Sequence, residues 1–356
     1  MLTSLPTSLL LISALLFGDM VVEPRSVSFQ ALTVPRALMD AGYTPAVVQH
    51  EIHNAAMALV RDAQSNAEAR QIASANRDTP IELLATYLGV GPVLQAVYQG
   101  SGLLEYSIAG GIVQEGNTLK LRLTVTRNDG RVDTAAASAP VGDVDALLRA
   151  GGWALTMLTD PQIACSALLR RSVQAGTPDI VKSYKCVQEA MGFAGEEDRP
   201  WLNNLGGVIC TLARDLQCAV AHLSEALRMQ PDFSPALLNL GMLLAMDGRD
   251  AEAIRLYALV FRRRMSSDSP QTNAATYVMW ARSLEKLGQP AAAVQKLREA
   301  TRADPNNARA ARRLLEHLPA GPEAQALRVA IGRMGEQDEI YTDNILGVLP
   351  SAAGLR

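Results

Sequence analysis

Between residues 199 and 307 the chain repeats an order of large and small residues that constrains it to stacked pairs of helices. The order is clearest from Tyr277 through Trp280, Ala281, Leu284, Gly288, Pro290, Ala293, Leu297 and Ala300 to Pro305. Large residues stand where two helices interlock, and small ones where they approach closely. A Gly sits at the bend, and a Pro follows the second helix. The preceding stretch carries Leu237, Leu240, Gly241, Leu244, Gly248, Ala253 and Tyr257; it lacks the terminal Pro, and Val260 stands where a small residue is usual. The stretch before that carries Leu202, Leu205, Gly206, Ala219, Leu223, Ala226 and Pro231. Its internal spacing is one residue longer, which predicts an inserted residue in the turn near Arg214. An unrelated helical bundle repeats apolar residues, but not small-residue and turn positions together.

This pattern resembles the tetratricopeptide repeat, a helix-turn-helix unit of about 34 residues. In that frame the units span about 199–232, 234–267 and 274–307, with a long linker from Arg262 to Gln271. A degenerate unit at 162–195 keeps Leu168, Leu169, Gly176, Pro178 and Val181, although Gln188 departs from it. Helices over Ala308–Leu318 and Glu323–Met334 cap a solenoid of residues 161–334, since the last apolar face needs a cover. Residues 335–356 read as an irregular tail with an apolar patch at Ile345–Leu349.

The resemblance implies a non-enzymatic adaptor whose concave groove, lined by the first helix of each repeat, binds a partner peptide or helix. The implied groove positions are Asn203, Asn204 and Gly207, then Leu238, Asn239, Met242 and Met246, then Val278, Met279 and Arg282. The two amides Asn204 and Asn239 would bond a ligand backbone. The Met and Leu residues would form an adaptable floor, and Arg282 would hold one acidic group. The paired lysines of repeats that clamp a terminal carboxylate are missing, so a partly apolar ligand fits better than an acidic tail. In the competing arrangement these residues pack beneath Ile345–Leu349, and the groove is closed.

Ahead of the repeats, residues 24–160 read as one α/β (α+β) domain. Val27–Val34 forms a strand. Thr44 caps a helix that begins at Pro45 and carries Val48, Ile52, Ala55 and Leu59 on one face. Short helices follow over Thr79–Gly89 and Pro92–Gln99. Ser107–Gln114, Thr118–Arg127 and Val132–Ala139 are strands of an antiparallel meander, joined at Glu115-Gly116-Asn117 and Asn128-Asp129-Gly130. A helix over Asp143–Leu158 closes the unit. Ile108-Ala109-Gly110-Gly111-Ile112, Gly116 and the alternating strand behind them resemble the TolB N-terminal and curli-secretion-like domains of bacterial envelope proteins.

Residues 1–22 are a hydrophobic segment without a basic n-region or a small-x-small cleavage site, which favours an uncleaved membrane anchor over a removed signal; a buried first helix is the other choice. Arg25 and Arg36 follow the run, and that count alone favours a cytoplasmic C-terminal side. The cysteines bear on the same question and fit either side. Cys165 and Cys186 lie on the two helices of the degenerate unit, and Cys210 and Cys218 flank the next bend. Pairing within each hairpin fits an oxidising, periplasmic space; four buried thiols fit a cytoplasm.

The remaining constellations carry little chemistry. His50-Glu51-Ile52-His53 is not His-Glu-x-x-His and has no third ligand nearby, so it reads as a solvated helix face, not a metal site. Gly89-Val90-Gly91 lacks the third Gly of a dinucleotide loop and follows a helix. No phosphate-cradling Gly-x-x-x-x-Gly-Lys loop and no Gly-x-Ser-x-Gly elbow occurs. With a net charge of −3, nucleic acid is not the expected partner. The clusters Arg262-Arg263-Arg264 and Arg309, Arg312, Arg313 read as solvated faces or helix C-terminal charges. No cofactor and no catalytic residue is expected. Two further functions stay open: a sensory module of a membrane signalling protein, and an enzyme in the α/β domain using His50, Glu51 and His53.

Overall fold

A computed structural model describes residues 26–63, 65, 71–72, 104–262 and 269–334. The anchor segment 1–22, the helices expected over 79–89 and 92–99, and the tail 335–356 lie outside the described residues. Among the described residues no helix is long and apolar enough to cross a membrane. The chain divides into two compact units, one of Met1–Arg61 and Glu68–Asp160, the other of Asp62–Ala67 and Pro161–Arg356.

The first unit is built on a five-stranded sheet of β1 (Ser26–Thr33), β2 (Gln71–Ile72), β3 (Leu104–Glu115), β4 (Thr118–Arg127) and β5 (Val132–Pro140), in the order β2-β1-β3-β4-β5. β1 runs parallel to β2 and β3, while β3, β4 and β5 form the antiparallel meander. Leu119, Leu121, Leu123 and Val125 of β4 are buried at every second position, because successive side chains of a strand point to opposite faces. Gly116 and Gly130 take φ of 60° and 84° in the two turns, where a side chain would be strained. Gly110 and Gly111 let β3 sit tightly between its neighbours. A Cβ at 110 would strike the Arg122 carbonyl, and one at 111 the Thr33 side chain.

After a short α1 (Arg36–Asp40), α2 (Pro45–Ala63) and α3 (Val144–Thr159) cover the core. Val48, Ile52, Ala56 and Leu59 are the buried stripe of α2. Ala56 takes the core position expected of Ala55, which instead faces Gly152; a Cβ on Gly152 would lie 2.5 Å from that of Ala55. Asp143 caps α3 by accepting from the Ala146 amide at 2.9 Å.

The second unit is all helix: α4 (Pro161–Gln174), α5 (Ile180–Met191), α6 (Arg199–Leu212), α7 (Leu216–Met229), α8 (Ser234–Met246), α9 (Asp250–Arg262), α10 (Pro270–Lys286), α11 (Pro290–Ala303), α12 (Ala308–His317) and α13 (Pro322–Met334). Three residues join α6 to α7, α8 to α9, and α10 to α11. The second of each three is left-handed: Arg214 at φ 61°, Gly248 at 77° and Gly288 at 73°. The third closes the turn by donating its amide five residues back, from Asp215 to Cys210, Arg249 to Leu244, and Gln289 to Leu284.

The turn at Arg214 therefore holds no insertion, contrary to the sequence expectation. Six residues lie between Gly207 and Arg214, as six lie between Gly241 and Gly248 and between Ala281 and Gly288. Gly207, not Gly206, is the small residue of close approach. A Cβ there would lie 2.7 Å from Leu223, just as one on Gly241 would lie 2.4 Å from Tyr257. The expected long linker is present between α9 and α10.

Candidate functional site

The first helices α6, α8 and α10 carry the residues expected to line a groove. Frame by frame, Asn204, Leu238 and Val278 are equivalent, as are Val208, Met242 and Arg282. Leu238, Met242, Val278 and Met279 are buried, and Met242 has no exposed surface at all. They are core in this structure, not an open floor.

The three amides are also engaged within the protein. Asn239 Nδ2 donates to Asn204 Oδ1 at 2.8 Å, and both side chains are buried. Asn203 donates from Nδ2 to the Arg199 carbonyl at 3.1 Å, and its Oδ1 meets His222 Nδ1 at 3.0 Å. Burying a polar group costs free energy unless it is bonded; Asn204 and Asn239 bond each other, and Asn203 bonds Arg199 and His222. Gly207 is taken up by helix contact.

Two of the expected residues reach solvent. Met246, at the end of α8, is 42% exposed. Arg282 is half-buried on α10. Burial and then neighbouring Arg313 pull its guanidinium pKa below the ordinary value, while Tyr257, Asp250 and Glu285 oppose this. Charged partners surround it. Glu285 accepts from Arg313 at 2.5 Å and meets His317 at 2.8 Å, and Asp250 accepts from Ser283 Oγ at 2.8 Å. Lys286 donates to the Ala245 carbonyl at 2.9 Å. Sequence reasoning passed over this network because its members lie some thirty residues apart, about one repeat, on adjacent helices. Arg313, read as part of a solvated basic cluster, is an ion-pair partner instead.

A second group adds His222, which was not anticipated, to cysteines whose pairing within each hairpin was one of the two expectations. Disulfides join Cys165 to Cys186 and Cys210 to Cys218, with Cα atoms 5.7 Å apart in each pair. Cys165, Cys186 and Cys210 are buried, whereas Cys218 is half-buried in the first turn of α7. His222 lies one turn further along that helix, beside Cys218. Burial lowers its pKa, which favours the neutral ring. Its Nε2 is 2.9 Å from Tyr184 Oη, and that hydroxyl is 3.9 Å from Cys218 Sγ. By contrast His50 and Glu51 are exposed and His53 is half-buried, and they belong to no convergent ligand set among the described residues.

The comparisons with known proteins bear on the helical unit. No curated protein matches the chain significantly. Among solved structures it is similar to PilF of Pseudomonas aeruginosa, at 15% identity and a TM-score of 0.42, over 50% of this chain and 78% of that one. It is similar to MamA of Desulfovibrio magneticus RS-1, at 15% identity and a TM-score of 0.34, over 50% and 94%. It is also similar to YrrB, described as a TPR protein with an unusual peptide-binding site, at 18% identity and a TM-score of 0.33, over 49% and 86%. The family model for the tetratricopeptide repeat matches residues 213–270 and 278–348. With helix pairs, left-handed turns and small-residue contacts recurring in one frame, this part of the chain is built of tetratricopeptide repeats.

Proposed function

We propose that the helical unit is a protein-binding adaptor module. The observation that carries this reading is the run of tetratricopeptide hairpins, each of which needs a neighbour to bury its apolar side. The binding face is that of α8 and α10 around Met246, Arg282 and Lys286. Its ligand is a partly apolar peptide or helix bearing an acidic group: Met adapts to varied apolar shapes, and Arg282 supplies a planar cation.

We further propose that the unit works in the bacterial envelope, on the periplasmic side. All four cysteines are paired, and paired structural cysteines belong to oxidising compartments. The N-terminal apolar segment as a membrane anchor belongs to the same proposal.

The test is a photo-crosslinking residue placed at position 246, and separately at 282, in the full chain in its native cells. A discrete crosslinked partner at both positions supports the reading. Crosslinks at neither, with a control on the outer face at Val220 behaving the same way, overturn it. Asn239 and Met242 are unsuitable probes, since both are buried and any substitution there perturbs the core.

A further inference from the structure

The α6–α7 hairpin brings together three groups that protein binding does not use. Ligand atoms of Cys210, Cys218 and His222 all lie within 4.8 Å of one another. We propose that this cluster is a switchable cation site: once the Cys210–Cys218 bond is reduced, the two thiolates and His222 bind a divalent cation of the zinc class.

The geometry favours it in four respects. A tetrahedral zinc with S at about 2.3 Å and N at about 2.0 Å sets its ligand atoms roughly 3.5–3.8 Å apart, so the three donors need only small side-chain rotations. Cys218 and His222 stand four apart, on one face of α7. The imidazole is already oriented. Asn203 Oδ1 is an acceptor, so its contact with Nδ1 puts the ring proton there and leaves the Nε2 lone pair at Tyr184 Oη, the hydroxyl that Cys218 Sγ also contacts. Metal-binding histidines are commonly held this way through their other nitrogen. Finally, Gly206 provides room for the ring, since a Cβ at that position would lie 3.0 Å from His222 Nδ1.

Reduction is selective for the same structural reasons. Cys218 is the half-buried residue of the four, whereas Cys165 and Cys186 are 0% and 5% exposed. The reductant is a dithiol. Its thiolate attacks Cys218 Sγ, the S–S bond breaks, and Cys210 leaves as a thiolate and takes a proton. The second thiol of the reductant then releases Cys218, and the reductant departs as a disulfide. Two electrons and two protons pass to the protein. Cation binding afterwards displaces the two thiol protons.

The experiment uses the full chain, reduced with a dithiol, desalted under anaerobic conditions and titrated with Co²⁺ as the probe. One equivalent bound, with thiolate-to-cobalt charge-transfer absorption that Zn²⁺ displaces, is the expected result. The signal is lost in Cys218→Ser and retained in the Cys165→Ser/Cys186→Ser double variant. Asn203→Ala weakens binding by about 10–100-fold. No charge-transfer band in the reduced chain, or a band that survives Cys218→Ser, overturns the proposal. A measurement without variants backs this up: Zn²⁺ should protect Cys210 and Cys218 of the reduced native chain from alkylation, as mapped by mass spectrometry. Equal alkylation with and without Zn²⁺ would leave the pair a structural disulfide only.

Discussion

Asn239 reaches across from α8 to give its Nδ2 proton to Oδ1 of Asn204 on α6, at 2.8 Å, with 0% and 1% of the two residues exposed. A buried bond between side chains of successive repeats is costly to leave half-made. Replacing Asn239 with Ala should destabilise the chain by about 1–3 kcal/mol. In a double-mutant cycle with Asn204→Ala, the two residues should couple by about 0.5–3 kcal/mol. Urea unfolding followed by far-UV circular dichroism measures both. Additive single effects would mean that the bond does not tie the repeats together.

Arg214 holds the left-handed position that glycine occupies in the other two turns of the same length. An L-residue there carries a steric cost of roughly 1–2 kcal/mol, partly offset by the greater freedom glycine gives the unfolded chain. Arg214→Gly should therefore raise stability by up to about 1 kcal/mol, and Gly248→Ala should lower it by a similar amount. Thermal unfolding of the two variants beside the native chain tests the paired signs.

The Cys165–Cys186 bond closes a segment with a sequence separation of 21 in the unfolded chain. Removing it with a Cys165→Ala/Cys186→Ala pair should cost about 3 kcal/mol, chiefly by releasing unfolded-state entropy. The fall in the denaturation midpoint, read with the Cys210–Cys218 bond intact, gives the value. A change below about 0.5 kcal/mol would show that the link constrains little.

The first unit should be sensitive to acid through His53. Burial, and secondarily His50, lower the His53 pKa below its ordinary 6.5, and its Nδ1 is a buried atom with no hydrogen-bond partner. The unfolded state then takes up the proton at a higher pH than the folded state. Stability is complete above about 6.5 and declines as pH falls through and below that value. His53→Gln should flatten this decline between pH 7 and 5 in equilibrium unfolding. An unchanged slope would assign the acid sensitivity to other groups.

The readability of these features from sequence depended on whether neighbouring residues alone decided them. Leu119, Leu121, Leu123 and Val125 alternate because one face of β4 is buried, so the meander and its turns could be read directly. The repeat frame was equally plain where a single small residue marks the helix contact, as at Gly241 and Ala281. It slipped by one at Gly206-Gly207, where two adjacent glycines satisfy the pattern equally and only the contact with Leu223 separates them. Asparagine on a first helix reads as a solvent-facing group; that Asn204 and Asn239 satisfy each other is a relation between helices that neither local stretch contains. His222 was passed over for the same reason, since its partners Asn203 and Tyr184 come from two other helices. The parallel pairing of β1 with β3 joins segments some eighty residues apart and leaves no local trace.

The shared length and handedness of the three turns make the hairpins interchangeable scaffolds. The places of Cys210 and Cys218 are taken by Leu244 and Glu252 in the next hairpin, and by Leu284 and Ala292 in the one after. Each of those pairs flanks a turn with the same backbone closure. Two substitutions in either hairpin would install a second cysteine pair at the same sequence separation. A protein engineer could thus graft the cross-link along the solenoid without redesigning a loop, and an evolving lineage could gain or lose it one hairpin at a time.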